Sequence, residues 1–245
     1  MTASTRSYAG IGSRSTPAAD LARMRELAIE LAHMGYEMRS GAADGADTAF
    51  EQGCDAARGR KAIFLPWPGF QGRYPDPKAS TYLPSPEAFE LAATIHPAWS
   101  RLSRGPQALH SRNCHQCLGR ALDAPADFVV CWTADGAESA RQTTSKTGGT
   151  GTAIRLVSLR GIPVFNLVYD DAEERLRSFL ADRPAVNSPP VADAVDEEPV
   201  RIVLRFPSLP RDAATVEDWT AKVVEGTNRA ATDETYRKEL ASRIR

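Results

Sequence analysis

The feature that most constrains this chain is a Gly-rich turn that recurs three times in its first two-thirds. The turns read Gly10-Ile11-Gly12-Ser13-Arg14-Ser15-Thr16-Pro17, Ser40-Gly41-Ala42-Ala43-Asp44-Gly45-Ala46-Asp47 and Thr147-Gly148-Gly149-Thr150-Gly151-Thr152. Each lies between an apolar run and an amphipathic segment. A strand that passes through glycine and hydroxyl residues into a helix leaves backbone N–H groups unpaired at the helix N-terminus. Together with the helix dipole, these favour a phosphate or another anion. One such turn has an ordinary steric explanation, but three at equivalent places in one domain point to a nucleotide-type ligand.

The segments between the turns alternate strand and helix. Apolar runs at residues 7–11, 36–39, 61–66, 127–132 and 163–168 read as five strands, the fourth apolar without alternation, as in a strand buried on both faces. Thr16 and Pro17 are suited to begin a helix, with Leu21, Met24, Leu27, Ala28 and Leu31 on one face and Gly35 as its stop. Further helices are predicted from Asp44 to a stop at Gly53, from Ser85-Pro86 until His96-Pro97 interrupts it, over residues 106–122, from the third turn to Arg160, and over 171–181. Residues 68–84, rich in proline, glycine and aromatics without a period, read as a long loop. Its Phe70, Tyr74 and Tyr82 suit a lid over a site. This order predicts an α/β, Rossmann-like doubly wound parallel sheet of about five strands, with all three turns at strand carboxyl ends. Residues 1–182 form that domain, residues 183–200 a Pro-rich linker, and residues 201–245 a small C-terminal segment for docking or assembly into a homo-oligomer.

Bulk properties narrow the setting. With 245 residues and a formal net charge of −1, the chain can bury a full core and carries no global positive field that would recruit nucleic acid. No apolar run approaches the ~20 residues of a membrane span, and residues 1–7 lack a signal-peptide core, so a cytoplasmic protein without membrane contact is expected. Cys114-His115-Gln116-Cys117, with His110 nearby, has the composition of half a zinc site. It lies inside a predicted helix and lacks a second pair at suitable spacing, so buried thiols and no metal are expected.

Taken together, Tyr8-Ala9-Gly10-Ile11-Gly12-Ser13-Arg14, the run from Arg39 to Asp47, Ser111-Arg112-Asn113 and Gly148-Gly149-Thr150-Gly151-Thr152 resemble the SLOG superfamily over about residues 6–168. That group holds the DNA-processing protein A family and the LOG-type nucleotide phosphoribohydrolases. The likeness is nearest to phage-encoded DNA-processing-A-like members. It implies a Rossmann-like fold with a ligand-binding or DNA-binding edge. LOG-type enzymes carry Gly-Gly-x-Gly-Thr-x-x-Glu with a catalytic glutamate, and here that place is taken by Arg155, which cannot act as a general base. Catalytic residues are therefore left unassigned, with Asp44, Asp135 and Glu138 as the acids near the turns.

The expected phosphate-binding set is Gly10, Gly12, Ser13, Arg14, Ser40, Gly41, Asp44, Arg112, Asn113, Gly148, Gly149, Thr150, Gly151 and Thr152, with Arg14 and Arg112 as the cations. Trp67 and Trp132 end strands on the same edge and are candidates for base stacking. Three functions follow. The first is binding of a nucleotide or nucleotide-derived small molecule by a sensor, carrier or sequestering protein. The second is a single-stranded DNA-binding recombination mediator, and the third a nucleotide N-glycoside hydrolase. No cofactor is implied beyond the nucleotide-type ligand.

Overall fold

The computed structural model describes residues 6–183. The expected linker beyond residue 183 and the expected assembly segment, residues 201–245, lie outside the described residues.

Six strands form one sheet: β1 (Ser7–Gly10), β2 (Glu37–Ser40), β3 (Lys61–Phe64), β4 (Thr81–Tyr82), β5 (Phe128–Cys131) and β6 (Val164–Asn166). Their spatial order is β4-β3-β2-β1-β5-β6, and every pair is parallel. The five expected strands are all present. The sixth, β4, lies inside the expected loop. Two residues carry no readable period, and they are ordered by pairing Thr81 and Tyr82 with Ile63 and Phe64.

Six helices cover the sheet: α1 (Ala18–His33), α2 (Ala46–Ala56), α3 (Pro86–Ile95), α4 (Arg104–Leu118), α5 (Thr150–Leu159) and α6 (Ala172–Ala181). Met24, Leu27 and Leu31 of α1, Phe50 of α2 and Leu176 of α6 share one apolar cluster with Tyr8, Met38 and Phe128 of the strands. Ala88, Cys114, Cys117 and Ile154, from α3, α4 and α5, form a second cluster with Ala9, Val129 and Cys131. Successive residues of β1 and β5 thus point into opposite clusters, as the period of two requires. The sheet is the middle layer of a three-layer α/β/α domain. All four cysteines are buried as free thiols.

Three helix limits differ from the sequence reading. Thr16 does not cap α1. Its hydroxyl donates back to Ser13 O at 2.8 Å, and Pro17 takes the cap position. Gly53 does not end α2 but lies within it, because a Cβ there would come 2.2 Å from Arg25 O of α1. Helix α4 stops at Leu118 rather than Leu122, since Gly119 turns the chain with φ +75°. No helix among the described residues is long and apolar enough to cross a membrane.

The strand order reverses between β1 and β5. To one side the chain runs β1, β2, β3, β4, and it then crosses back through α3 and α4 to β5 and β6. In parallel sheets the crevice at the carboxyl ends of two such strands is where ligands bind.

Candidate functional site

The first turn leaves β1 alongside β5, with Ile11 N donating to Val130 O (3.1 Å) and Ser13 N to Trp132 O (3.2 Å). Gly12 has φ +157°, and a Cβ there would lie 2.7 Å from the Ala46 side chain and 3.1 Å from the Trp132 backbone. Glycine at position 12 is therefore a demand of close backbone packing. Ser13 is occupied by the protein: its Oγ accepts Ser15 N (3.0 Å), and its carbonyl accepts Ala46 N (3.3 Å) at the start of α2. Arg14 is exposed and forms no ion pair among the described residues.

The second turn packs on the first. Ser40 Oγ, fully buried, donates to Gly10 O at 2.7 Å, and Gly45 has φ +82° with Ser13 O 2.7 Å from where its Cβ would stand. At Gly41 a Cβ would fall 2.4 Å from the Arg112 guanidinium, so the missing side chain makes the bed in which that group lies. Asp44 is exposed and accepts Gln71 Nε2 at 2.8 Å. Asp47 is buried beside Arg112, with 3.7 Å between Oδ2 and Nη2.

The third turn is built differently. Thr144 and Thr147 form a capping box over a short 3-10 turn, and both hydroxyls donate to Asp135 Oδ2. These bonds hold the Asp135 carboxyl down at about 2, so it is ionised at neutral pH. Gly148 (φ +62°) and Gly149 follow, and open space surrounds the position of a Cβ on either. The amides of Gly148, Gly149 and Thr150 donate to no protein acceptor among the described residues. Gly149 is the N-cap of α5 and brings no side chain to satisfy them. Thr150 and Thr152 are buried, and Thr152 Oγ1 hydrogen-bonds His110 Nδ1 at 2.9 Å.

Helix α4 joins these turns through two adjacent side chains. Arg112 Nη1 donates to Gly41 O at 2.6 Å, and Asn113 Nδ2 donates to Gly149 O at 2.9 Å. Arg112 Nη2 also donates to Asn113 Oδ1 at 3.2 Å, closing the bridge between the second and third turns. The Phe70 ring lies 5.9 Å from the guanidinium carbon. Burial lowers the Arg112 pKa and raises that of Asp47, each opposed by the partner charge. The expected residues are thus brought to one edge, with Arg112 and Asn113 bracing the turns.

The long loop docks on the second turn. Besides the Gln71–Asp44 bond, Arg73 pairs with Glu51 of α2 at 2.6 Å. Trp67 is half-buried, edge-on to Phe70 with centroids 5.2 Å apart. Trp132 is half-buried beside the first turn and packs on the α1–α2 side of the sheet.

Sequence reasoning overlooked a histidine pair beside the third turn. The rings of His96, at the end of α3, and His110, on α4, have centroids 4.4 Å apart. Burial, His96, Arg112 and Arg155 together push the His110 pKa down to about 4, so it is neutral. The available signal was α4 itself. It is polar nearly throughout yet occupies a central crossover, which requires an internal polar network.

No protein-family model matches the chain, and a search of curated proteins finds no relative. Among solved structures the chain is similar to DNA processing protein A of Helicobacter pylori, described for its single-stranded DNA binding mode. Identity is 17% and the TM-score 0.37, covering 73% of this chain and 82% of that one. It is also similar to DNA processing protein A of Streptococcus pneumoniae, at 15% identity and TM-score 0.39, covering 73% of this chain and 57% of that one. These neighbours belong to the group that the turn motifs resemble. Superposition at this level carries no activity or residue role to this chain, and what the site can do rests on its own geometry.

Proposed function

We propose that the chain binds the phosphate of a nucleotide or nucleotide-derived small molecule at the β1/β5 edge, as a sensor, carrier or sequestering protein. The observation that carries this reading is the row of unpaired amides at Gly148, Gly149 and Thr150, held in place by Asn113. Three N–H groups at the positive end of a helix form an anion cradle. Arg14 supplies an exposed cation on the first turn, and Trp132, whose carbonyl accepts Ser13 N, is the candidate for stacking a base. Gly10, Gly12, Ser40 and Gly41 shape the edge, and Arg112 keeps it closed.

Binding without hydrolysis fits the state of the nearby acids. Asp135 is ionised with its Oδ2 held by Thr144 and Thr147, Glu138 is held by Arg175 at 2.8 and 3.0 Å, and Asp44 faces solvent on the second turn.

A second reading, binding of single-stranded DNA, is favoured by one observation. Arg14, Arg101, Arg104, Arg141 and Lys146 are exposed and form no ion pair among the described residues. They belong to the turns and short helices that precede α1, α4 and α5 in the chain, with Arg104 opening α4 itself, where a backbone could follow them. Residues 201–245 are assigned by the same overall reading to assembly between copies.

Calorimetry with AMP tests the first reading. Gly149→Asp places a carboxylate at the cap position of α5, which competes for the free amides and repels an anion while keeping or raising helix stability. The expected result is at least a tenfold loss of AMP affinity with an unchanged or higher Tm. Equal affinity in both proteins counts against the cradle. Salt-dependent binding of an oligonucleotide without AMP binding transfers the assignment to the second reading.

A further inference from the structure

We propose that the cavity beside the outer edge of β4 is a second binding site, for a small monocarboxylate with an apolar ring.

The site follows from how the sheet ends. β4 is the outermost strand, and its inward carbonyls serve β3: Ser80 O accepts Ile63 N and Tyr82 O accepts Leu65 N, each at 2.8 Å. Thr81 and Leu83, in alternation with these, turn their backbone groups outward. Thr81 is paired there, exchanging two bonds of 2.9 Å with Asp76. Leu83 is not, and its N–H donates to no protein acceptor among the described residues.

Leu83 lines a cavity of about 250 Å³ together with Pro75, Pro77, Tyr82, His115 and Arg120. Buried His115 is spent within the protein. Its Nε2 accepts Ser85 N at 3.0 Å, which leaves the proton on Nδ1 to be donated to Gly119 O, also at 3.0 Å. Arg120 is the opposite case. It is exposed and forms neither an ion pair nor a side-chain hydrogen bond among the described residues. Its guanidinium lies over the Tyr82 ring, 4.8 Å from the centroid, and this stacking holds the fork beside the cavity. None of the lining residues is acidic. Asp76, between the two prolines in the chain, gives its Oδ1 to Lys78 N, and Glu87 is the one carboxylate that bears on His115.

An anion here meets one guanidinium and one unpaired amide, which suits a single planar negative group. An apolar body meets two proline rings and the tyrosine. The volume is below the ~300–1,000 Å³ of drug-sized sites, so it admits one ring with a short acidic arm rather than a nucleotide. This site is independent of the edge proposed above.

The test titrates phenylacetate, 2-phenylethanol and acetate into the full-length protein and follows amide chemical shifts. Phenylacetate should give saturable shifts at Leu83, with affinity about fivefold or more above that of either partial analogue. Arg120→Gln should weaken phenylacetate about fivefold or more and leave 2-phenylethanol unchanged, with an unaltered Tm because Arg120 is exposed. AMP should leave the Leu83 amide unmoved. Equal affinity for phenylacetate and 2-phenylethanol, wild-type phenylacetate affinity in Arg120→Gln, or a Leu83 amide that stays unmoved at saturating phenylacetate overturns the proposal. An AMP-induced shift at Leu83 overturns its independence.

Discussion

Arg112 and Asn113 are the residues on which the site turns. From sequence alone Arg112 is a cation available to a ligand, because a motif gives the position of a side chain but not its burial. In the structure its guanidinium fills the space left by Gly41, bonds that residue's carbonyl at 2.6 Å and lies 3.7 Å from the carboxyl of buried Asp47. Arg112→Ala should therefore lower the free energy of unfolding by about 3 kcal/mol, since it leaves the Asp47 charge without its partner. A paired change, Arg112→Met with Asp47→Leu, should recover most of the loss. Urea unfolding measures both, and full stability in Arg112→Ala would mean that the guanidinium does not brace the turns. The glycines were legible as turn residues, but their reasons differ: close packing at Gly12, a bed for a cation at Gly41 and open access at Gly149.

At the scale of elements, the strands and most helices were readable because each carries its own apolar period. What was not readable depends on tertiary contact. The two residues of β4 exist only by pairing with β3, and Gly53 is tolerated within α2 because α1 passes against it. Helix α4 was located, but its contacts with α3 and α5 through His96, His110 and Thr152 have no period to show them. They predict an acid response. In the unfolded chain His110 takes up a proton near pH 6.5, whereas in the folded domain it does so only at about 4. Between these values the unfolded state binds more protons, so stability is greatest above pH 6.5 and falls as pH drops towards 4. Asp135 acts in a separate, lower window, with its contribution lost only as pH falls towards its value of about 2. Thermal melts should show a Tm that declines from pH 6.5 to 4.5 in the wild type and a flatter profile in His110→Asn. Parallel profiles would show that the buried imidazole is not the group responsible.

For the whole molecule, the order β4-β3-β2-β1-β5-β6 explains why separate turns share one site. The sheet reverses between β1 and β5, and α4, on the crossover into β5, ties the second turn to the third. Both apolar clusters close within residues 8–180. A chain ending at Pro189 should accordingly unfold in one cooperative step and keep AMP affinity within about threefold, while its oligomeric state by light scattering falls to monomer. Loss of AMP binding with the fold intact would instead place part of the site in residues 190–245. The central claim is that the free amides of the third turn receive a nucleotide phosphate. Amide chemical shifts during AMP titration test it most directly. The account predicts saturable shifts at Gly148, Gly149 and Thr150, with an accompanying shift of the Asn113 side-chain amide. Amides at these positions that stay unmoved at saturating AMP, or shifts confined to another part of the domain, would contradict it.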